Sequence, residues 1–353
     1  MSRPQGVDGA GPGRLPKAPT IVDVAARVGV SKSTVSNVLR EVPTVAPGLR
    51  RRVLEAVREL GYRPNKLAAQ LARARSTTIG VVTGGLDNQF FSEMAIALER
   101  SASRRGYGVM LCNSEGEADR ELEGIERLLE HRVAGILMAS SGSGDRAEKA
   151  LGTTCPIVFI CDGVDWCDLV SVEDADGTRQ ATEHLLSLGH RRIAYLSGPS
   201  IEPETARARL EGFRAAAGGV VELDLAGSVE AGRVRTGRDV FDLGTLVRRQ
   251  RLTGVVCVND YTALDVLDHL ERDGVAVPGD VSLVGFDDIP TAGLARISLT
   301  TVSQPIADIA DDAVKLLCSR IDGSLQGKPQ VVRHGVSLVV RASTAPPKGV
   351  ANG

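Results

Sequence analysis

The stretch TIVDVAARVGVSKSTVSNVL, residues 20–39, carries its apolar positions in two short helical periods separated by a glycine. Val24, Ala25 and Val28 recur on one helix face. Thr20, followed three residues later by Asp23, supplies the paired start signal of a capping box. Gly29 ends that helix. Ser31 can cap a second helix in which Val35, Val38 and Leu39 face inward, leaving Lys32, Ser33, Ser36 and Asn37 outward. Two short capped helices joined by a tight turn predict a helix-turn-helix. Its small polar and basic outward residues suit the base edges of a DNA major groove.

Beyond residue 76 the pattern changes. Short apolar runs (IGVV, GVMLC, GILM, IVFI, LVSV, IAYLS, GVVCV and VSLVGF) alternate with longer amphipathic stretches. Such alternation predicts parallel sheets covered by helices, and the length of the stretch favours two sheets over one. Ligands of such sheets lie beyond the carboxyl ends of the strands. Polar residues that follow apolar runs are therefore candidates: Asp162 after IVFIC, Asn259-Asp260 after GVVCV and Asp287 after VSLVGF, with Arg209 in the helix after IAYLSG. Carboxylates, an amide and a guanidinium fork can pair with the vicinal hydroxyls of a sugar. Helix capping by Asp260 and turn capping by Asp288 are the structural alternatives.

Charge sharpens the division. The first 75 residues carry 14 Lys and Arg against 5 Asp and Glu, whereas the remainder carries 28 against 39, so an overall charge of −2 joins a basic head to an acidic body. A basic head supplies the phosphate attraction that nucleic-acid binding requires. With 353 residues, 42% apolar and 24% charged, the chain has an ordinary globular composition. Residues 1–19 are rich in Gly and Pro and lack an apolar stretch, so they are expected to be a disordered extension rather than a signal or anchor, and the protein is expected in the cytoplasm.

Six cysteines form no Cys-x-x-Cys pair and read as reduced core thiols. Cys155, Cys161 and Cys167 lie near Asp162 and Asp165 without matching histidines or tight ligand spacing, so no metal is expected. Enzyme signatures fail as well. Residues 79–85 (IGVVTGG) lack the spacing of a dinucleotide fingerprint, and no Gly-x-x-x-x-Gly-Lys-Ser/Thr loop occurs. The five histidines are scattered. No catalytic residue and no cofactor is expected.

The run from Thr20 to Ser36 resembles the helix-turn-helix of the LacI/GalR family of transcriptional regulators, T-I-x-D-V-A-x-x-x-G-V-S-x-x-T-V-S. The resemblance continues through Thr44-Val45-Ala46-Pro47, a third-helix run LRRRVLEAVRELGY, and RPNKLAAQL, which is similar to the family's hinge helix. DNQFFSEM, DGTRQATEHLLSLGHRRIAYLSG, VPGDVSLVGFDD and LTTVSQP are similar to landmarks of its effector core. It implies an all-α helix-turn-helix domain and hinge helix, followed by an α/β periplasmic-binding-protein-like core of two Rossmann-like subdomains. The expected boundaries are 1–19 for the extension, 20–63 for the DNA-binding domain, 64–76 for the hinge, 77–343 for the effector-binding and dimerisation core and 344–353 for a flexible tail.

The resemblance implies DNA contacts from Thr20, Ser31, Lys32, Ser33, Thr34, Ser36, Asn37, Arg40, Asn65, Ala68 and Leu71. Leu71, among small alanines, suits a minor-groove wedge; a plain linker helix packing on the core is the alternative. Asn37 stands where many relatives carry Arg or His, which shifts the expected base preference toward adenine. The implied effector contacts are Phe90, Phe91, Asp162, Arg209, Asn259 and Asp287. Asn88-Gln89-Phe90-Phe91 departs from the family's Asn-Pro-Phe-Phe. Either Cys161 or Asp162 occupies the usual acidic position, with Asp162 favoured, and Trp166 is available as a stacking face. The implied partners are an operator duplex, a second copy of the chain and a small-molecule effector. A sugar is favoured; a nucleobase or other metabolite is the alternative. A solute-binding module without regulation would require a signal peptide and no basic head.

Overall fold

The computed structural model describes residues 19–39, 42–43, 45–62, 76–139, 144–151, 155–161, 165–197, 203–217, 223–225, 229–230, 233–236 and 239–348. Arg40, Asn65, Ala68, Leu71 and Asp162 of the expected sites, and the extension up to residue 18, lie outside them. The chain divides into two compact units, Met1–Arg75 and Ser76–Gly353.

In the first unit, helices α1 (Ile21–Val28), α2 (Lys32–Leu39) and α3 (Pro47–Leu60) enclose a small core of Val24, Ala25, Val28, Val35, Val38, Val53 and Ala56. Thr20 and Asp23 form the reciprocal capping box at the start of α1, and Gly29 closes that helix at φ 74°, in the left-handed region where a Cβ is unfavourable. Ser31 Oγ accepts the Thr34 backbone N–H at 3.1 Å, which starts α2. A core this small needs polar ties: Arg52 donates to the Val28 carbonyl at 3.0 Å and Arg50 to that of Val42 at 2.8 Å.

The second unit begins with β1 (Thr78–Thr83), α4 (Gln89–Arg104), β2 (Gly108–Asn113), α5 (Ala118–Glu130), β3 (Ile136–Ala139), α6 (Asp145–Leu151), β4 (Ile157–Ile160) and β5 (Asp168–Val172). Next come α7 (Asp174–Ser187), β6 (Ile193–Leu196), α8 (Pro203–Ala216), the short strands β7 (Leu223–Leu225), β8 (Val229–Glu230), β9 (Arg233–Thr236) and β10 (Asp239–Asp242), then α9 (Leu243–Gln250), β11 (Gly254–Cys257) and α10 (Asp260–Arg272). The chain finishes with β12 (Ser282–Asp287), β13 (Thr300–Ser303), α11 (Ile306–Asp322), β14 (Val331–His334) and β15 (Ser337–Val339).

Two six-stranded sheets result, ordered β14-β5-β4-β3-β1-β2 and β15-β13-β12-β11-β6-β7. The first is parallel throughout; in the second only β15 runs antiparallel. Every one of the eight apolar runs picked from the sequence is a strand. The central strands are buried on both faces, as parallel sheets under helices require. The chain crosses between the sheets at β5 to β6, at β13 to β14, and at β14 to β15. After the second crossing α11 packs on α4 of the first sheet, where Asp311 accepts Ser101 Oγ at 2.9 Å and both Arg105 amines at 2.9 and 3.0 Å.

The expected flexible tail starts too early at residue 344. Thr344 Oγ1 pairs with His184 Nε2 at 2.9 Å, Ala345 exchanges bonds with Ser282 at 3.0 Å, and its carbonyl meets His190 Nε2 at 2.9 Å. Lys348 then reaches Asp280. These polar ties fasten residues 344–348 to the second subdomain.

Candidate DNA-binding head and ligand crevice

In the head, α2 presents its first turn to solvent. Ser31, Lys32 and Ser33 are exposed, Thr34, Ser36 and Asn37 are partly so, while Val35 and Val38 turn inward. Leu39, expected inside, is only partly buried at the edge of the cluster. Ser31 Oγ lies 2.8 Å from both Ser33 Oγ and Thr34 Oγ1, so the hydroxyls form one hydrogen-bonded group around the helix start. Thr20 Oγ1 donates to Asp23 Oδ2 at 2.7 Å and is thus committed to capping α1. The result is a helix N-terminus displaying a lysine and small hydroxyls, the geometry by which a recognition helix meets base edges and phosphates.

In the core, the carboxyl ends of β11 and β12, the first turn of α7 and the second turn of α8 converge on a buried charge cluster. Arg209 is 5% exposed; its Nε donates to Asp174 Oδ1 at 2.7 Å and its Nη1 to the Val258 carbonyl at 2.7 Å. Nη1 stands 3.6 Å from Asp287 Oδ1, and the guanidinium lies 3.6 Å above the Phe286 ring centroid. That stacking gives the buried cation a polarisable floor. Asp287, at φ 118°, accepts Gln304 Nε2 at 2.7 Å. Burial pushes its carboxyl up to about 7, against the opposing pull of Arg209 and the Gln304 bond. Among the described residues, Asp174 and the Val258 carbonyl take hydrogen bonds from two of the five guanidinium N–H groups, and the Asp287 carboxyl faces the same side chain.

The neighbouring pair is divided between structure and site. Asn259 caps α10 by accepting the Thr262 N–H at 2.8 Å, so its NH2 is what it can offer a ligand. Asp260 does not cap that helix. It is fully buried, accepts the Ile289 N–H at 3.0 Å and Thr301 Oγ1 at 2.6 Å, and is driven well above the usual carboxylate range by burial and by Asp287. Asp288 forms an ion pair with Arg341 at 2.6 Å. Phe90 and Phe91 contact each other edge-on at 5.3 Å and are 5% and 6% exposed within the main core. Trp166 is not available for stacking: it packs edge-on against Phe159 at 5.7 Å in the apolar cluster of the first sheet that holds Val82, Ile136 and Met138.

Asp174 and Gln304 hold the cluster together and were not picked from the sequence. Asp174 does obey the strand-end rule, two residues beyond β5, whereas Gln304 needs the β12–β13 pairing to bring it to Asp287. Thr205, one turn before Arg209 on α8, is 5% exposed and its Oγ1 has no hydrogen-bond partner. Among the described residues no group of three or more His, Cys, Asp or Glu is arranged to hold a metal ion, and no helix is long and apolar enough to cross a membrane.

A helix-turn-helix head ahead of a two-sheet crevice fold defines a class, the ligand-responsive DNA-binding regulators. The comparisons narrow it. Residues 20–65 match the model for bacterial regulatory proteins of the lacI family, and residues 182–344 match the periplasmic binding protein-like domain. The ribose operon repressor of Escherichia coli K12 is 34% identical over 317 residues, covering 86% of this chain and 93% of the relative. A lac repressor dimer solved with operator and an anti-inducer superposes with a TM-score of 0.78 at 29% identity, covering 93% of this chain and all of that one. A ribose-bound regulator from Enterococcus faecium gives a TM-score of 0.66 at 28% identity over 77% of this chain and all of that one. The chain belongs to the LacI family of bacterial transcriptional regulators.

Proposed function

We propose that the chain is a cytoplasmic repressor that binds a palindromic operator as a homodimer and is controlled by a compact polyhydroxylated effector, most simply a monosaccharide. One observation carries the effector assignment: a buried guanidinium stands 3.6 Å from a buried carboxylate at the strand ends. Together with the Asn259 amide they supply the paired donors and acceptors that adjacent hydroxyls need. The ribose-bound relative supports the same class of ligand.

On the DNA side, the exposed first turn of α2 supports contacts from Ser31, Lys32, Ser33, Thr34, Ser36 and Asn37, with Thr20 at the neighbouring helix start. The dimeric lac repressor bound to operator supports the two-fold arrangement, since paired heads read paired half-sites. Thermal unfolding of the purified protein against a panel of pentoses and hexoses tests the effector. A ligand at a hundred times its Kd adds about 2.7 kcal/mol, a shift of several degrees. That shift is expected to vanish in Asp287→Asn; a variant that responds like the wild type overturns the pocket.

A further inference from the structure

Among the described residues, two hydrogen bonds join the subdomains at the edge of the crevice, apart from the chain crossings. Tyr261 Oη donates to Asp87 Oδ2 at 3.2 Å, and the Thr291 backbone N–H donates to Gln89 Oε1 at 3.2 Å. Asp87 and Gln89 belong to the segment that follows β1 of the first sheet. Tyr261 is in the first turn of α10, after β11, and Thr291 lies in the 3-10 turn Pro290–Gly293 after β12. All four therefore sit at the carboxyl ends of the two sheets, the side on which such folds hold ligands.

Burial says which side of that rim they occupy. Along residues 87–90, Asp87 and Gln89 are exposed while Asn88 and Phe90 are buried. Tyr261 is 38% exposed, two residues beyond buried Asn259, and Thr291 is partly exposed, four residues beyond buried Asp287. The buried members of both loops turn inward, Phe90 into the main core, and the exposed members meet one another across the rim. The local scaffolds are firm. Asn88 caps α4 by accepting the Phe90 N–H at 3.0 Å, and Asp260 holds the Ile289 N–H at 3.0 Å just ahead of the turn.

We infer that Asp87–Tyr261 and Gln89–Thr291 form one clasp that holds the two subdomains together at the crevice mouth and must open for an effector to pass. Gln89 is central to it. It stands where the family pattern Asn-Pro-Phe-Phe has proline, a residue with no side-chain acceptor for the Thr291 N–H. Each bond is exposed and weak alone. They act together because opening the crevice breaks both in a single motion, so losing one raises the population of the open form and frees the other.

Hydrogen exchange at the Thr291 amide of the full-length, ligand-free protein tests the clasp. In the wild type this amide is expected to exchange well below the rate of an unstructured amide. Gln89→Ala removes its acceptor and is expected to speed exchange roughly tenfold. Tyr261→Phe touches neither Thr291 nor Gln89, keeps the ring, and is expected to speed exchange at Thr291 several-fold, with the double variant showing less than the product of the two effects. Unprotected exchange at Thr291 in the wild type would overturn the clasp. So would a Tyr261→Phe variant with unchanged Thr291 exchange, because the two bonds would then be independent. The readout needs no effector, so it stands apart from the monosaccharide assignment.

Discussion

Arg209 carries a full charge in the protein interior, and it is tolerable there because its neighbours are arranged around it. Asp174 neutralises it, the Val258 carbonyl takes a second N–H, and Phe286 lies under its plane. Removing one partner of such a cluster strands the others. Arg209→Met is expected to cost about 3 to 5 kcal/mol, read as a lowered urea midpoint, since Asp174 and Asp287 would be left as uncompensated buried carboxylates. A loss below about 1 kcal/mol would mean that the cluster is hydrated and loosely held.

Asp287 gives a prediction in pH. Its folded pKa of about 7 lies above the ordinary carboxylate value of about 3.9, so the folded state binds more protons between those limits. Its contribution to stability is present at low pH and is lost as pH rises toward 7. Asp287→Asn cannot ionise, so the stability of the variant relative to the wild type is expected to rise from pH 4 to pH 7 and then level off. Thermal melts of both proteins across that range check it, and a flat difference would contradict the burial argument.

At the scale of elements, helices α7 and α8 pass close enough that a side chain at Gly212 has no room. A Cβ built there would stand 2.0 Å from the Ala175 carbonyl oxygen, a backbone atom that cannot swing aside. Gly212→Ala is therefore expected to force the helices apart and cost roughly 1 to 3 kcal/mol, despite the better helix propensity of alanine. Stability equal to or above that of the wild type in a chemical melt would contradict the packing. Because Asp174 begins α7 and Arg209 lies on α8, the same variant should also loosen the charge cluster.

What the sequence discloses follows the strength of local signals. Caps and apolar periods are local, so α1 and α2 were legible with their boundaries, and the eight apolar runs announced the central strands. β13, β14 and β15 were not, because TTVS, VVRH and SLV are short, and all three are partly polar. They become strands only through pairing with β12, β5 and β13. Of the buried polar residues beyond the strand ends, the strand-end rule picked out Asn259 and Asp287, and it could have picked out Asp174. It could not separate Asn259, which caps a helix, from Asp260, whose carboxylate is consumed by Ile289 and Thr301. Pairing partners of that kind are set by tertiary contacts 29 and 41 residues away.

At the scale of the whole molecule, charge and fold divide the labour. The first 75 residues carry a large excess of Lys and Arg, and the remainder is acidic. Attraction to DNA is thereby concentrated in the head and should weaken steeply with salt, while the ligand crevice sits in a body that the polyanion repels. Coupling between the two sites is expected to be reciprocal, worth about 1 to 3 kcal/mol in either direction.

Selection of duplexes from a random DNA pool by the purified protein at near-physiological salt tests the central claim most directly. The account predicts enrichment of a palindrome whose half-sites are read by α2, and a Lys32→Ala, Asn37→Ala variant that no longer enriches it. Binding that stays sequence-independent and simply falls with salt, both with and without candidate monosaccharides, would contradict a sequence-reading repressor.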